Sequence, residues 1–180
     1  MRLREYDHRT ACTVLNIAQL ETNQLLRYSG IRELPIEHTM ITLRVLVVDD
    51  SEVVRRSVCT LLEGEPGLRV VSVASDGLQA VKQAREQQPD VILLDISLPG
   101  LSGIEAARRI RGVAPRSKIL FLSQYDTWAT AREALRTGAA GYVVKSDAAL
   151  ELVPGVWSVC HGQSFVSSSL AAHDRRRTAR

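Results

Sequence analysis

The amino-acid sequence predicts an α/β domain built on a doubly wound, five-stranded parallel sheet with helices on both faces. Short apolar runs rich in Val, Ile and Leu alternate, from Leu43 onward, with segments of helical length. Strands that alternate with helices form parallel sheets, and right-handed crossovers place helices on both faces. Apolar residues make up 45% of the 180-residue chain, which is enough for a core, although aromatic residues contribute only 4%.

Each element follows from this alternation. The strands are expected, in chain order, at 43–48 (LRVLVV), 68–74 (LRVVSVA), 90–95 (DVILLD), 117–123 (SKILFLS) and 140–145 (AGYVVK). The helices are expected at 51–63, 77–87, 102–112, 127–137 and 147–161. The second helical segment carries the clearest signals, because Asp76 can cap its first turn, apolar residues recur on one face and Pro89 follows its end.

Two appendages flank the domain, which is expected to occupy residues 42–166. Residues 1–41 lie outside the alternation, and we expect a loose extension or a short amphipathic helix that docks or dimerises. Residues 167–180 form an Arg-rich tail that we expect to be disordered. The net charge of +3 comes entirely from this tail, since acidic and basic residues balance elsewhere. The body is therefore not predicted to bind nucleic acid.

Composition also bears on location. No apolar run approaches the roughly 20 residues that a membrane-spanning helix needs, and the N-terminus lacks the pattern of a secretory signal. The three cysteines, Cys12, Cys59 and Cys160, are odd in number and lack metal-ligand spacing, so we expect reduced thiols. These observations predict a cytoplasmic protein without a membrane partner.

Charged and polar residues follow the apolar strands. The first predicted strand leads into Asp49 and Asp50, the third ends at Asp95, the fourth at Ser123 and the fifth at Lys145. Because functional sites of open α/β sheets lie beyond the carboxyl ends of the strands, we expect these side chains to meet at one edge. In a sheet of order 2-1-3-4-5 the first and third strands are neighbours, which would place Asp49 and Asp50 beside Asp95.

This set of side chains predicts a receptor for a phosphoryl group. Three carboxylates at one edge repel each other, and only a cation or raised pKa values relieve that repulsion. Oxygen ligands without His or Cys favour Mg²⁺ over zinc. Lys145 would add a fixed positive charge and Ser123 a hydroxyl donor, both of which suit phosphoryl oxygens. Asp95 would then be the nucleophile and form an aspartyl-phosphate.

Four motifs resemble the receiver domains of two-component response regulators. They are VLVVDD, ILLDISLPG, ILFLS and GYVVKSD, and the resemblance covers roughly residues 42–166. It implies a CheY-like, flavodoxin-like sheet of order 2-1-3-4-5 and phosphorylation of Asp95. The implied ligands of Mg²⁺ are the carboxylates of Asp49, Asp50 and Asp95 and the backbone carbonyl of Ser97.

The same resemblance implies a switch. Ser123 would be the switch hydroxyl, Lys145 would contact the phosphoryl group, and Tyr142 would be the aromatic residue that turns inward on activation. Gln124 stands where many members of the family have a small residue, so we expect narrower access to the phosphoryl group. A degenerate receiver that no longer accepts phosphate is an alternative.

The segments GAAGYVVKSDAALEL and FVS resemble NarL/FixJ-type regulators, which usually carry a LuxR-type helix-turn-helix. The residues after FVS are too few to form that motif, so we expect a stand-alone receiver. The resemblance implies a sensor histidine kinase or phosphotransfer protein as phosphodonor. We expect output through an unidentified protein partner, without specific DNA binding, and leave phosphorylation-linked homodimerisation open. The alternative is a truncated or atypical DNA-binding transcriptional regulator.

Two enzyme classes fit less well. Phosphatases of the haloacid dehalogenase type need a second acid two residues after the nucleophile, but Ser97 stands there. A dinucleotide-binding site needs a glycine-rich loop after the first strand, where this chain has VVDDSE. We therefore expect a protein that catalyses only its own phosphorylation and dephosphorylation, without an external turnover substrate.

Overall fold

The computed structural model describes residues 42–171, and within them six strands form one sheet. The strands are β1 (Leu43–Val48), β2 (Leu68–Ala74), β3 (Val91–Leu94), β4 (Lys118–Ser123), β5 (Gly141–Val144) and β6 (Phe165–Val166). They are all parallel and lie in the order β2-β1-β3-β4-β5-β6. The expected extension at 1–41 lies outside the described residues, as do residues 172–180 of the tail expected at 167–180.

Within residues 42–171, five α-helices alternate with the strands. They are α1 (Glu52–Glu63), α2 (Gly77–Gln87), α3 (Gly103–Val113), α4 (Trp128–Leu135) and α5 (Ala148–Cys160), with a 3₁₀ turn at Lys145–Asp147 before α5. Oxygen side chains cap α1 to α4, because a backbone amide at a helix start needs an acceptor. The predicted cap at Asp76 is confirmed, since its Oδ1 accepts a hydrogen bond of 2.8 Å from Gln79 N.

The sheet separates two apolar clusters, which explains why the strands are apolar on both faces. Leu46 and Val48 of β1 point into the cluster covered by α2, α3 and α4. Val45 and Val47 point into the other cluster, which α1 and α5 cover. Successive residues of a strand face opposite sides, so a sheet buried on both faces shows a continuous apolar run. The predicted doubly wound fold is confirmed.

The predicted number of five strands is wrong, because a sixth strand pairs with β5. Gly141 makes the close approach of β6 possible, since a Cβ there would lie 2.6 Å from the carbonyl oxygen of Phe165. Beyond β6, Ser167 Oγ accepts a hydrogen bond of 2.9 Å from Val144 N. Ser167 and Leu170 are fully buried, so packing against β5 continues past the strand. A two-residue strand has no periodicity that a sequence pattern can reveal.

The cysteines of the described region behave as partly buried thiols. Cys59 and Cys160 are free. Burial raises the pKa of Cys160 to about 11, with a further contribution from the charge of Asp90. Burial, together with the charge of Glu63, also raises the pKa of Cys59. Both thiols are therefore neutral at pH 7.

Within residues 42–171, each helix is too short or too polar to cross a lipid bilayer.

Gly103 and Gly112 provide a matched pair of substitutions in α3. A Cβ at Gly103 would lie 1.8 Å from the carbonyl oxygen of Asp95, whereas a Cβ at Gly112 would meet nothing within 4 Å. We predict that Gly103→Ala lowers the free energy of unfolding by about 1–3 kcal/mol, because the start of α3 must move away from β3. Gly112→Ala should raise it by about 0.5–1 kcal/mol through helix propensity. Urea denaturation measures both, and equal effects would contradict this packing.

Candidate functional site

The first two carboxylates meet because β1 and β3 are neighbours. Val48 pairs with Leu94 at the ends of these strands. The residues that follow, Asp49 and Asp95, continue the ladder, and Asp95 N donates a hydrogen bond of 2.9 Å to Val48 O. Asp49 is 1% exposed and Asp95 2% exposed, so both carboxylates are withdrawn from water. Such burial is costly for a charge unless a partner compensates it.

Asp50 completes an acidic cluster. One carboxylate oxygen from each of Asp49, Asp50 and Asp95 lies within 4.8 Å of the others. Asp50 is exposed, so the cluster opens to solvent on its side. Carboxylate oxygens at this spacing are the donor set that a hard divalent cation requires.

Lys145 compensates the two buried carboxylates. Its Nζ lies 2.6 Å from Asp49 Oδ2 and 2.8 Å from Asp95 Oδ2. Burial is the largest effect on the pKa of Lys145 and lowers it, but the contacts with Asp49 and Asp95 together outweigh burial and leave the pKa raised. The ammonium is therefore fully charged at neutral pH and fixes one oxygen of each carboxylate.

Backbone amides hold the other oxygen of each buried carboxylate. Ser51 N donates to Asp49 Oδ1 at 2.9 Å, and Ile96 N donates to Asp95 Oδ1 at 2.7 Å. Asp49 Oδ2 is fully buried, and the Lys145 ammonium at 2.6 Å is its ion-pair partner. The cluster holds three carboxylates and one ammonium, so it keeps an excess of negative charge. A further cation would neutralise that charge, so the described residues fit Mg²⁺.

The hydroxyl groups lie at the same edge. Ser123 ends β4 and is fully buried, and its Oγ accepts a hydrogen bond of 3.3 Å from Tyr125 N. Tyr142 is also fully buried, and its hydroxyl donates to the carbonyl oxygen of Tyr125 at 2.7 Å. Burial raises the pKa of Tyr142, a hydrogen bond with Ser123 lowers it, and the charge of Asp95 raises it. The family resemblance implies that this ring turns inward on activation, and in this structure it is fully buried.

Two residues at this edge, Tyr125 and Arg55, were not predicted from the sequence. The Tyr125 hydroxyl accepts a hydrogen bond of 3.3 Å from Ser97 Oγ, so Tyr125 links the loop after β3 to the loop after β4. Arg55 donates from Nη1 to the carbonyl oxygens of Asp49 and Asp50. Both contacts join separate segments, and neither residue belongs to a strand-end pattern.

Comparison with known proteins agrees with this geometry. A sequence model described as response regulator receiver domain matches residues 45–154. This chain belongs to that family. UvrY from Escherichia coli K12, a response regulator, is 39% identical over 129 residues, an alignment that covers 72% of this chain and 59% of UvrY. The chain therefore spans about 60% of the length of the curated relatives it matches.

Solved structures give the same result for the receiver family. A two-component response regulator of the LuxR family from Aurantimonas sp. SI85-9A1 has a TM-score of 0.73 at 35% identity, covering 77% of this chain and 99% of that one. The CheX-CheY complex with BeF₃⁻ and Mg²⁺ from Borrelia burgdorferi has a TM-score of 0.62 at 25% identity, covering 66% and 90%. The predicted membership of the receiver family, close to NarL/FixJ-type regulators, is confirmed.

Lys145→Met tests whether the ammonium compensates the buried carboxylates of this receiver domain. We predict that, without added metal, the substitution lowers the free energy of unfolding by about 3–5 kcal/mol, because Asp49 and Asp95 lose their shared counter-charge. Lys82→Met is the control, since Lys82 is exposed on α2, and it should change stability by less than about 0.5 kcal/mol. Urea denaturation in EDTA measures both variants, and equal stabilities would contradict the role of Lys145.

Proposed function

We propose that this receiver domain accepts a phosphoryl group on Asp95, with Mg²⁺ held by Asp49, Asp50, Asp95 and the backbone carbonyl of Ser97. The observation that carries the proposal is the cluster of Asp49, Asp50 and Asp95, whose carboxylate oxygens lie within 4.8 Å of one another and of which the two buried ones share Lys145. The similar structure from Borrelia burgdorferi was solved with BeF₃⁻ and Mg²⁺, which supports the binding of Mg²⁺ and a phosphoryl group by this chain.

The transfer reaction needs few groups from this chain. A carboxylate oxygen of Asp95 attacks the phosphorus of a phosphohistidine, the phosphorus–nitrogen bond breaks, and the imidazole of the donor leaves with the electron pair. Bound Mg²⁺ would neutralise phosphoryl oxygens as charge develops. Lys145 already lies 2.8 Å from Asp95, so its ammonium is placed to contact the new phosphoryl group. Hydrolysis of the acyl phosphate then returns Asp95, and no external substrate is turned over.

Ser123 and Tyr142 form the proposed switch. The Ser123 hydroxyl would donate a hydrogen bond to the phosphoryl group and draw the loop after β4 toward Asp95. The Tyr142 hydroxyl donates a hydrogen bond to the backbone carbonyl of Tyr125 in this loop, so a movement of the loop would also move the ring. α4 begins at Trp128, directly after the loop, and would transmit the change to the surface formed by α4, β5 and α5.

For the output, we propose a cytoplasmic receiver that takes its phosphoryl group from a histidine kinase or phosphotransfer protein and signals through a protein partner. Dimerisation linked to phosphorylation would be one route. A second candidate is a DNA-binding transcriptional regulator, which the similarity to a response regulator of the LuxR family supports. A DNA shift assay at physiological salt separates the two, because only the second candidate shows sequence-selective binding.

Intact-mass spectrometry with acetyl phosphate and Mg²⁺ tests the acceptor. We predict one phosphoryl adduct on the wild-type chain and none on Asp95→Asn, because the amide is not a nucleophile for phosphorus. Asp90→Asn is the matched control, since Asp90 is exposed at the opposite end of β3, and it should retain the adduct. An adduct on Asp95→Asn would show that another residue accepts the phosphoryl group.

Trp128 should report the switch. It is half-buried against the cluster that contains Tyr142, whereas Trp157 packs on the other side of the sheet. In a Trp157→Phe background, we predict that beryllium fluoride with Mg²⁺ changes the fluorescence of Trp128 and that the additional substitution Asp95→Asn abolishes this change. Fluorescence that stays constant in the Trp157→Phe chain would contradict coupling between Asp95 and α4.

A further inference from the structure

Arg55 joins α1 to the backbone of the acidic cluster. It lies in the first turn of α1, and its Nη1 donates to the carbonyl oxygen of Asp49 at 2.6 Å and to that of Asp50 at 3.0 Å. Its neighbour Arg56 has no such role, because it is exposed and pairs with Glu52 on the same helix. One guanidinium group therefore bridges the two consecutive residues whose side chains form part of the candidate metal site.

The two carbonyl groups lie in a gap between regular elements. The β1–β2 ladder ends with the hydrogen bond from Asp49 N to Ala74 O. The backbone bonding of α1 begins with Arg55 N donating to Ser51 O. The carbonyls of Asp49 and Asp50 precede that first helical bond, and the Arg55 side chain supplies their donor. Both bonds come from Nη1, whose two N–H groups lie in the plane of the guanidinium group and therefore have fixed directions.

We propose that Arg55 is a positioning residue for Mg²⁺, which rests on the metal site proposed above. By fixing the backbone of Asp49 and Asp50, it sets the direction in which both carboxylates leave the chain. It also maintains the turn in which Ser51 N donates to Asp49 Oδ1, and this leaves Asp49 Oδ2 to face the cluster. Groups that orient metal ligands without touching the metal typically change metal affinity by about 10–100-fold.

The direction in which the affinity for Mg²⁺ changes when Arg55 is removed separates a positioning role from a purely electrostatic one. Arg55 is positive and adjoins the residues that would hold a divalent cation, so charge repulsion alone disfavours the metal. If charge were its only influence, removing the guanidinium group would tighten the binding of Mg²⁺. If Arg55 positions the ligands, its removal weakens the binding of Mg²⁺ in spite of the lost repulsion.

Isothermal titration calorimetry with Mg²⁺ measures the direction of this change. We predict that Arg55→Met raises the dissociation constant by about tenfold. Arg55→Lys should give an intermediate value, because its shorter side chain and freely rotating ammonium group hold the two carbonyl oxygens less rigidly than the planar guanidinium does. Arg56→Met removes the same charge from the next residue and should leave the dissociation constant unchanged or slightly lower.

A metal-free measurement tests the same inference independently. The Ser51 amide is bonded to Asp49 Oδ1, so its hydrogen exchange in EDTA reports the geometry of the turn. We predict that Arg55→Met accelerates this exchange by about tenfold and that Arg56→Met leaves it unchanged. Equal exchange rates in the wild type and Arg55→Met would overturn the positioning role, as would Mg²⁺ affinity that stays constant or rises.

The two proposals fail in different ways. A wild-type chain that does not bind Mg²⁺ would contradict the proposed metal site. If the wild type binds Mg²⁺, weaker binding by Asp50→Asn shows that the ion occupies that site. The exchange of the Ser51 amide still decides whether Arg55 holds the turn. If Arg55→Met does not fold, Arg55→Lys retains the charge, and weaker Mg²⁺ affinity together with faster exchange of the Ser51 amide than in the wild type supports the role. Wild-type values for Arg55→Lys would overturn it.

Discussion

The ion pairs of Lys145 with Asp49 and Asp95 are the interaction on which the site depends. They place two carboxylates with almost no exposure at the carboxyl edge of the sheet, where neither would be stable alone. The strand order makes this possible, because β1 and β3 are adjacent and Lys145 follows β5 two strands away from β3. The strand between them, β4, ends in the small residue Ser123, so the long side chain of Lys145 reaches across the edge.

The charges at this edge explain how the site can be stable in the free protein and still bind a cation and a phosphoryl group. Lys145 neutralises part of the negative charge of the three carboxylates, and the exposed Asp50 leaves the cluster open to a further cation. Backbone amides fix the other carboxylate oxygens, so little rearrangement is needed when a ligand binds. Preorganised charges of this kind stabilise a transferring phosphoryl group more than mobile ones do. The arrangement therefore supports the proposed transfer of a phosphoryl group to Asp95.

The fold and the residues at the strand ends could be predicted from the sequence. Roles that depend on contacts between distant segments could not. Buried strands and capped helices are local patterns, so their bounds agree with the structure within two residues. The strand β6 has only two residues and was missed. Arg55 and Tyr125 were missed because each bonds to a backbone or side chain in another segment. The burial of Tyr142 could not be predicted either, since it involves a hydrogen bond from its hydroxyl to the carbonyl oxygen of Tyr125.

The central claim is that the acidic edge, with Asp95 as acceptor, binds a phosphoryl group in a manner that depends on a divalent cation. Fluorine NMR of the chain with beryllium fluoride tests it most directly, because bound and free fluoroberyllates give separate resonances. The account predicts bound resonances on the wild type only when Mg²⁺ is present, and none on Asp95→Asn under the same conditions. Bound resonances that persist on Asp95→Asn, or their absence from the wild type with Mg²⁺, would contradict the account.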